Sequence, residues 1–346
     1  MNFLDLVLIP PLLTLTGCSS KDKTDAEYAA DVVSSMHQFL LGAVQELNHA
    51  ARDLETAAPS TAGRGWNDTD QAAIASMKKA WIRTRMAWEE VEGTMAPLFP
   101  PLNQALDARY DELLAVRADD DLFDGQGVTG MHAIERIVYA PEIPSSVTTK
   151  EMALTGYRAA AWPATEAEAN EFKTKLCGQL VADSQTLVDE WQPRAIDLPG
   201  VFAGLTALIN EQQEKVKLAA NHEEESRYSQ RTMGDLRDNL VGTRAVYGLF
   251  VPWLLAKPYG DSMDVKVQQA FDRLEQTYAG VPGDSIPAPP SSWSSTMPTP
   301  DDQQSPFGQL YSSVVLEVDA SHADSAAAAM NRVAIALGLP PVTAPP

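Results

Sequence analysis

Apolar residues recur every three or four positions along most of this chain, the spacing of helices that bury one face. In "YAADVVSSMHQFLLGAVQELNHAARDLETA", residues Val33, Met36, Leu40, Val44, Leu47 and Leu54 make one stripe. Pro59, Gly63 and Gly65 end it. The run "DTDQAAIASMKKAWIRTRMAWEEVEGTM" predicts a second helix, capped by Asp68 or Thr69. "FPPLNQALDARYDELLAVR" predicts a third, started by Pro100-Pro101. A glycine-punctuated loop, "DDDLFDGQGVTG", leads into a short helix carrying His132. Further helices are expected over 147–160, 164–191, 196–223, 229–256, 261–280, 306–320 and 322–338. The Pro/Ser-rich stretch 281–306 between them reads as a loop or insertion. Alternating Val/Ile/Thr runs bounded by hairpin turns are missing, so the expected fold class is all-α, with two helical bundles packed together. "APEIPSS" places the boundary, giving an N-terminal bundle over 25–145 and a C-terminal one over 146–346.

The N-terminus departs from this pattern. "LVLIPPLLTLTGC" is a short apolar run ending in small residues and Cys18. That arrangement predicts a lipoprotein signal over 1–18, with Cys18 lipidated and 19–24 as a polar tether, although "MNFLD" carries no basic residue. The alternative is a buried N-terminal strand with a free thiol. No other run approaches the roughly 20 apolar residues of a membrane span, so the lipid would be the only anchor. The expected location is the cell envelope, on a periplasmic or outer-membrane face. With Cys18 lipidated, Cys177 remains single and forms no intrachain disulfide; its helical spacing with Leu176 and Leu180 makes it a small buried hydrophobe.

The formal charge of −21 excludes nucleic acid as a partner, because no Lys/Arg stripe exists to replace its counterions. An acidic surface attracts cations, or simply keeps the protein soluble. Three clusters bear on that choice. His132 and Glu135 lie three residues apart on one helix face, as do Glu89 and Glu92 in "AWEEVEG"; Asp107 and Asp111 stand four apart in "ALDARYDE". Taken singly, each admits a bland reading: a hydrogen-bonded histidine, or an exposed acidic face. Trp81, Trp88, Val91, Leu98 and Leu106 surround the carboxylates with apolar bulk, so packed helices could aim them inward as bundle metal sites do. Oxygen donors with one imidazole suit iron or manganese, and zinc less well. His-Glu-x-x-His, nucleophile-elbow, Walker and dinucleotide motifs are absent, so no catalytic residue is assigned.

"GMHAIE" fits the Gly-x-His-x-x-Glu signature and resembles the imelysin-like family, which includes imelysin peptidases and EfeO-type periplasmic iron-uptake proteins. "WEEVEG…LFPPLNQALDARYDE" resembles the EfeO-type segment in which an aromatic-Glu-x-x-Glu helix precedes Asp-Ala-Arg. "EEESRYSQRTMGDLRDNLVGTRAVY" resembles a later family segment at Tyr228, Ser229, Asp235, Asn239 and Gly242. The resemblance implies two bundles with a cleft between them. It implies His132 and Glu135 as the motif pair, with Glu89, Glu92 and Asp107 as candidate carboxylate ligands. Arg109 and Asp235 would orient them, and Tyr228 would be a ligand or outer hydrogen-bond donor. Gln230 and Thr232 stand where EfeO-type sequences tend to carry His and Asp, and no β-rich cupredoxin-like domain precedes the helices. Three functions follow as expectations. The first is a lipid-anchored protein that binds iron for uptake, with an iron permease as implied partner. The others are an imelysin-type metallopeptidase using Glu135 or Glu89 as base, and an envelope binding protein without metal.

Overall fold

Thr24 starts the first helix. Its hydroxyl accepts from the Glu27 amide while the Glu27 carboxylate accepts from the Thr24 amide, a capping box that satisfies two otherwise unpaired donors. The structure is a computed structural model and describes residues 23–342. The expected signal segment 1–18, Cys18 and most of the tether lie outside the described residues. Helix α1, Asp25–Ala57, buries Val32, Met36, Leu40, Val44, Leu47, Ala51 and Leu54. The stripe is the expected one, but it runs through Val32 and leaves Val33 half-buried.

Two helices expected to be continuous are broken, and both breaks shape the site. The second becomes α2, Gln71–Glu89, and α3, Glu92–Leu98, with a turn at Glu90 and Val91. Its start is set by Asn67, which caps a 3-10 turn, and not by Asp68 or Thr69. The third becomes α4, Pro100–Asp107, and α5, Tyr110–Val116, separated by extended backbone at Ala108 and Arg109. Helix α6, Gly130–Val138, carries the Gly-x-His-x-x-Glu signature and is buried along its whole length. Gly130 sits at φ +81°, and a Cβ there would lie 2.6 Å from the Ala105 carbonyl oxygen. Only glycine lets the start of α6 press against the end of α4 in this way.

The next helix, α7, Ser145–Glu151, is shorter than the expected 147–160. Past it the chain is held in irregular form by the Tyr110 hydroxyl, which accepts from the Arg158 amide at 3.0 Å. Helix α8, Glu166–Glu171, continues through a π turn at Phe172–Cys177 into α9, Gly178–Trp191. Then come α10, Leu198–Ala219, α11, Thr232–Leu255, and α12, Gly260–Ala279. The Pro/Ser-rich stretch is largely irregular, with one short helix, α13, Pro300–Gln304. Trp293 pins it edge-on to Phe307 and Tyr311 of α14, Pro306–Val318. Helix α15, Ala326–Leu337, ends in left-handed Gly338. The fold is all-α; among the described residues there is no strand, and no helix is long and apolar enough to cross a membrane.

One contiguous apolar core runs through the described residues. Helices from both sides of residue 145 share it: α1 packs on α2, α9 and α11, and α3 packs on α10. Gly242 of α11 faces the turn between α2 and α3, and a Cβ there would lie 2.0 Å from the Glu90 carbonyl oxygen. Gly242→Ala is expected to lower unfolding free energy by about 1–3 kcal/mol, because backbone cannot yield as a side chain can. Gly248→Ala, on the same helix with open space around the new methyl, is expected to raise it by about 0.5–1 kcal/mol. Denaturant unfolding of both variants checks the contrast.

Candidate functional site

Helix α2 carries Arg85 and Glu89 one turn apart on its buried face. Arg85 is fully buried, and its guanidinium binds four carboxylates. It pairs closely with Asp107 at the end of α4 and with Glu89, reaches Glu225 at 2.9 Å, and lies 3.7 Å from Asp235. The planar fork of arginine suits this divided role better than a lysine would. Asp235, on the first turn of α11, also accepts from Ser226 Oγ at 2.5 Å and Arg231 at 2.6 Å.

His132 is 1 % exposed. Its Nδ1 lies 3.0 Å from Glu135 Oε2, one turn along α6, and its Nε2 lies 3.3 Å from Asp107 Oδ1 on α4. That second approach is not aligned as a hydrogen bond, so Nε2 has no hydrogen-bond partner. Glu135 is held in turn by the Ser229 amide, which donates to Oε1 at 2.8 Å. Trp81 Nε1 donates to the Met131 carbonyl at 2.9 Å and ties α2 to α6. Burial and the nearby Arg85 would each lower the histidine's pKa, but Asp107 and Glu135 outweigh them and raise it to about 9. His132 is therefore an imidazolium at neutral pH, stabilised by two acids. Burial would raise Asp107, but Arg85 and His132 hold it below its ordinary value.

The second buried cation is Lys215 of α10. Its Nζ lies 2.7 Å from Glu225, 3.2 Å from Glu89, and 3.8 Å from both Glu92 and Glu211. It also donates to Asn239 Oδ1 at 2.9 Å, while Asn239 Nδ2 donates to the Glu89 carbonyl and to Glu92 Oε2, each at 3.1 Å. Burial pushes the Glu89 and Glu92 carboxyls well above the usual range despite these cations. Glu225 ends up below its ordinary value, because Lys215 and Arg85 outweigh the effect of burial.

Two sets of carboxylates bring oxygens within 4.8 Å of one another: Glu89 with Glu225 and Asp235, and Glu92 with Glu211 and Glu225. Arg85 stands against the first set and Lys215 within the second. The second set opens to solvent. Glu92, Glu211 and Glu225 line a pocket of about 520 Å³, with Asp107 and Lys215 also on its wall and Arg109, Glu112 and Glu214 among its other lining groups. A groove of about 540 Å³ between α11 and α12 is similar in size but mainly apolar, lined by Leu240, Val241, Ala245 and Ala279. Its Arg237 and Arg244 turn to Asp284 and Asp272. The acidic pocket is thus where the buried charged groups converge.

The expected residues fall as follows. His132, Glu135 and Asp107 form one chain of contacts, and Glu89 and Glu92 join it through Arg85 and Lys215. Glu89 and Glu92 meet across a turn instead of along one helix, because α2 stops at Glu89. Arg109 does not orient these acids. The extended step after α4 turns it to Glu112, 2.7 Å away. Asp111, which sits on α5 and not one turn beyond Asp107, pairs with Arg227. The Tyr228 hydroxyl donates to Glu151 at 2.6 Å, in a neighbouring network with Arg136. Gln230 takes left-handed backbone and donates to the Arg227 carbonyl, and Thr232 is buried at the start of α11. Arg85, Lys215, Glu211 and Glu225 were not singled out from the sequence. Arg85, Glu211 and Lys215 had only their spacing as a signal: Arg85–Glu89 and Glu211–Lys215 stand four apart, the pattern of solvated helix pairs.

The chain and its all-α fold match known proteins. The family model Peptidase_M75, Imelysin, matches residues 40–306, and the chain belongs to that family. It is 23% identical over 283 residues to an Efem/EfeO family lipoprotein of Staphylococcus haemolyticus strain JCSC1435, covering 80% of this chain and 85% of that one. Its fold is similar to an imelysin-like protein from Psychrobacter arcticum 273-4, with TM-score 0.54 and 11% identity over 93% of this chain and 99% of that one. It is also similar to a crystal structure from Parabacteroides distasonis ATCC 8503, provisionally named an iron-regulated protein A precursor. There the TM-score is 0.53, with 14% identity over 92% and 95% of the two chains.

Two stability predictions follow from the charges. Arg85→Met removes the cation shared by four buried acids, leaving Asp107, Glu89, Glu225 and Asp235 to their weaker remaining partners, and is expected to cost about 3–5 kcal/mol in denaturant unfolding at neutral pH. The pKa of His132 is raised on folding, so its contribution is complete below the free-imidazole value of about 6.5 and disappears as pH rises through about 9. Asp107, held low, contributes at every pH above roughly 4 and is lost only in acid. Across pH 6.5–9 the protein should therefore lose stability, by on the order of 3 kcal/mol, and His132→Gln should flatten that slope. An equal slope in both proteins would show that His132 is not the titrating group.

Proposed function

We propose that this chain is a lipid-anchored protein of the cell envelope that captures a metal ion, iron foremost, for delivery to a permease. The observation that carries the reading is the pocket of about 520 Å³ on which Glu92, Glu211, Glu225 and Asp107 converge. Carboxylate oxygens without thiolates favour hard, highly charged ions. Glu92, Glu211 and Glu225 are the residues that would hold the ion, since their oxygens already stand within 4.8 Å of one another. Asp107 would act from the wall, and His132 with Glu135 behind it would fix that carboxylate's orientation, as outer partners do for metal ligands.

This reassigns His132 from ligand to orienting group, because Arg85 and its own two acids already engage the surrounding space. The likeness to the staphylococcal Efem/EfeO family lipoprotein supports the envelope location and the lipid on Cys18. It also favours a binding role over peptide hydrolysis. The remaining thiol offers no nucleophile: Cys177 is fully buried, and burial pushes its pKa far up.

Calorimetry on the full-length chain in detergent, with Fe³⁺, Fe²⁺, Mn²⁺ and Zn²⁺, tests the reading. Iron should bind at one site, Glu225→Gln should weaken it by about a hundredfold or more, and His132→Ala by roughly tenfold. No binding in any form would overturn the proposal, and Zn²⁺-dependent cleavage of peptides would replace it with a peptidase. Cys18→Ala should move the chain from the membrane fraction to the soluble one.

A further inference from the structure

Lys215 does more than neutralise its neighbours. Its ammonium stands within the one carboxylate set that the pocket exposes, 2.7 Å from Glu225 and 3.8 Å from Glu92 and Glu211. A metal bonded to those three oxygens at the usual 2.0–2.6 Å, roughly, would share the space now held by Nζ. We propose that Lys215 is a tethered resident cation, which an incoming metal must displace before it can bind. This inference rests on the capture reading above and concerns how the same site selects its ion.

The geometry allows the exchange. Lys215 reaches the site on a flexible four-carbon stem, and its acidic partners line a pocket with room for the ammonium to swing into. Arg85 has no such freedom: it is fully buried and braced by Asp107 and Glu89, so the set it serves stays closed to metal. Both cations answer to Glu225, at 2.9 and 2.7 Å, so that carboxylate keeps a partner when Lys215 leaves. An ion that replaces a single positive charge gains in proportion to its own charge. The lysine thus sets a threshold that discriminates against weakly charged ions and favours trivalent ones. His132 Nε2, 3.3 Å from Asp107 on the pocket wall, braces that carboxylate from behind, so the wall stays in place while the ammonium moves.

The experiment compares the full-length chain with its Lys215→Met variant in detergent, titrating Fe³⁺, Mn²⁺ and Ca²⁺ by calorimetry. The variant should bind the divalent ions about tenfold or more tightly than the natural chain, and its preference for Fe³⁺ over Mn²⁺ should shrink. Equal or weaker divalent binding by a folded variant overturns the proposal. Should the variant fail to fold, the natural chain supplies the answer: acylation of Lys215, read by mass spectrometry, should rise several-fold on saturation with Fe³⁺. Unchanged labelling at saturation overturns the displacement. A natural chain that binds no metal beside a variant that does would sink the capture reading while upholding the lysine's role. No binding by either folded protein overturns both.

Discussion

Everything in this site depends on two positive charges buried among acids. Arg85 and Lys215 are almost wholly removed from water, and between them they touch Glu89, Glu92, Asp107, Glu211, Glu225 and Asp235. Taking such charges out of water costs several kcal/mol per ion, and the attraction between them returns that only when every partner is in place. The network is therefore weak evidence for extra stability and strong evidence for a fixed arrangement. Each acid defines where the others stand, and the loss of one cation leaves several charges exposed to the low dielectric.

That arrangement needs backbones in unusually close approach. Gly242 lets α11 lie on the Glu90 carbonyl, which puts Asn239, about one turn earlier, against the Glu89 carbonyl and Glu92. Gly130 lets α6 start against the end of α4, which brings His132 to Asp107. The turn between α2 and α3 and the break between α4 and α5 are the complementary features on the other side.

Function follows from which face of the network meets water. The Arg85 side is sealed by α4, α6 and α11, whereas the Lys215 side forms the wall of an acidic pocket. Both cations are buried, but only Lys215 lines the pocket. Membership of the imelysin family fits this division without deciding it, since the family's name carries a peptidase and the staphylococcal relative is called a lipoprotein. The capture we propose rests on the oxygen-rich donor set.

Periodicity alone determined the all-α class and most of the helices with their buried stripes, because a three-and-four spacing of apolar residues has one economical solution, but not the breaks at Glu90–Val91 and Ala108–Arg109. The signature Gly-Met-His-Ala-Ile-Glu, with the acids at Glu89, Glu92 and Asp107, was also legible, since these side chains stand among tryptophans and leucines where a solvated charge would be misplaced. Arg85 and Lys215 were not. Each forms an i, i+4 pair with a glutamate, and that spacing reads the same whether the helix face meets water or core. Arg109 misled for another reason: the resemblance implied an orienting role, and an extended step of backbone turned its guanidinium to Glu112. Local spacing fixes which side chains share a helix face. Only the packing of α10, α11 and α6 against that face decides whether a charge there is hydrated, buried against a partner, or placed at the mouth of a pocket.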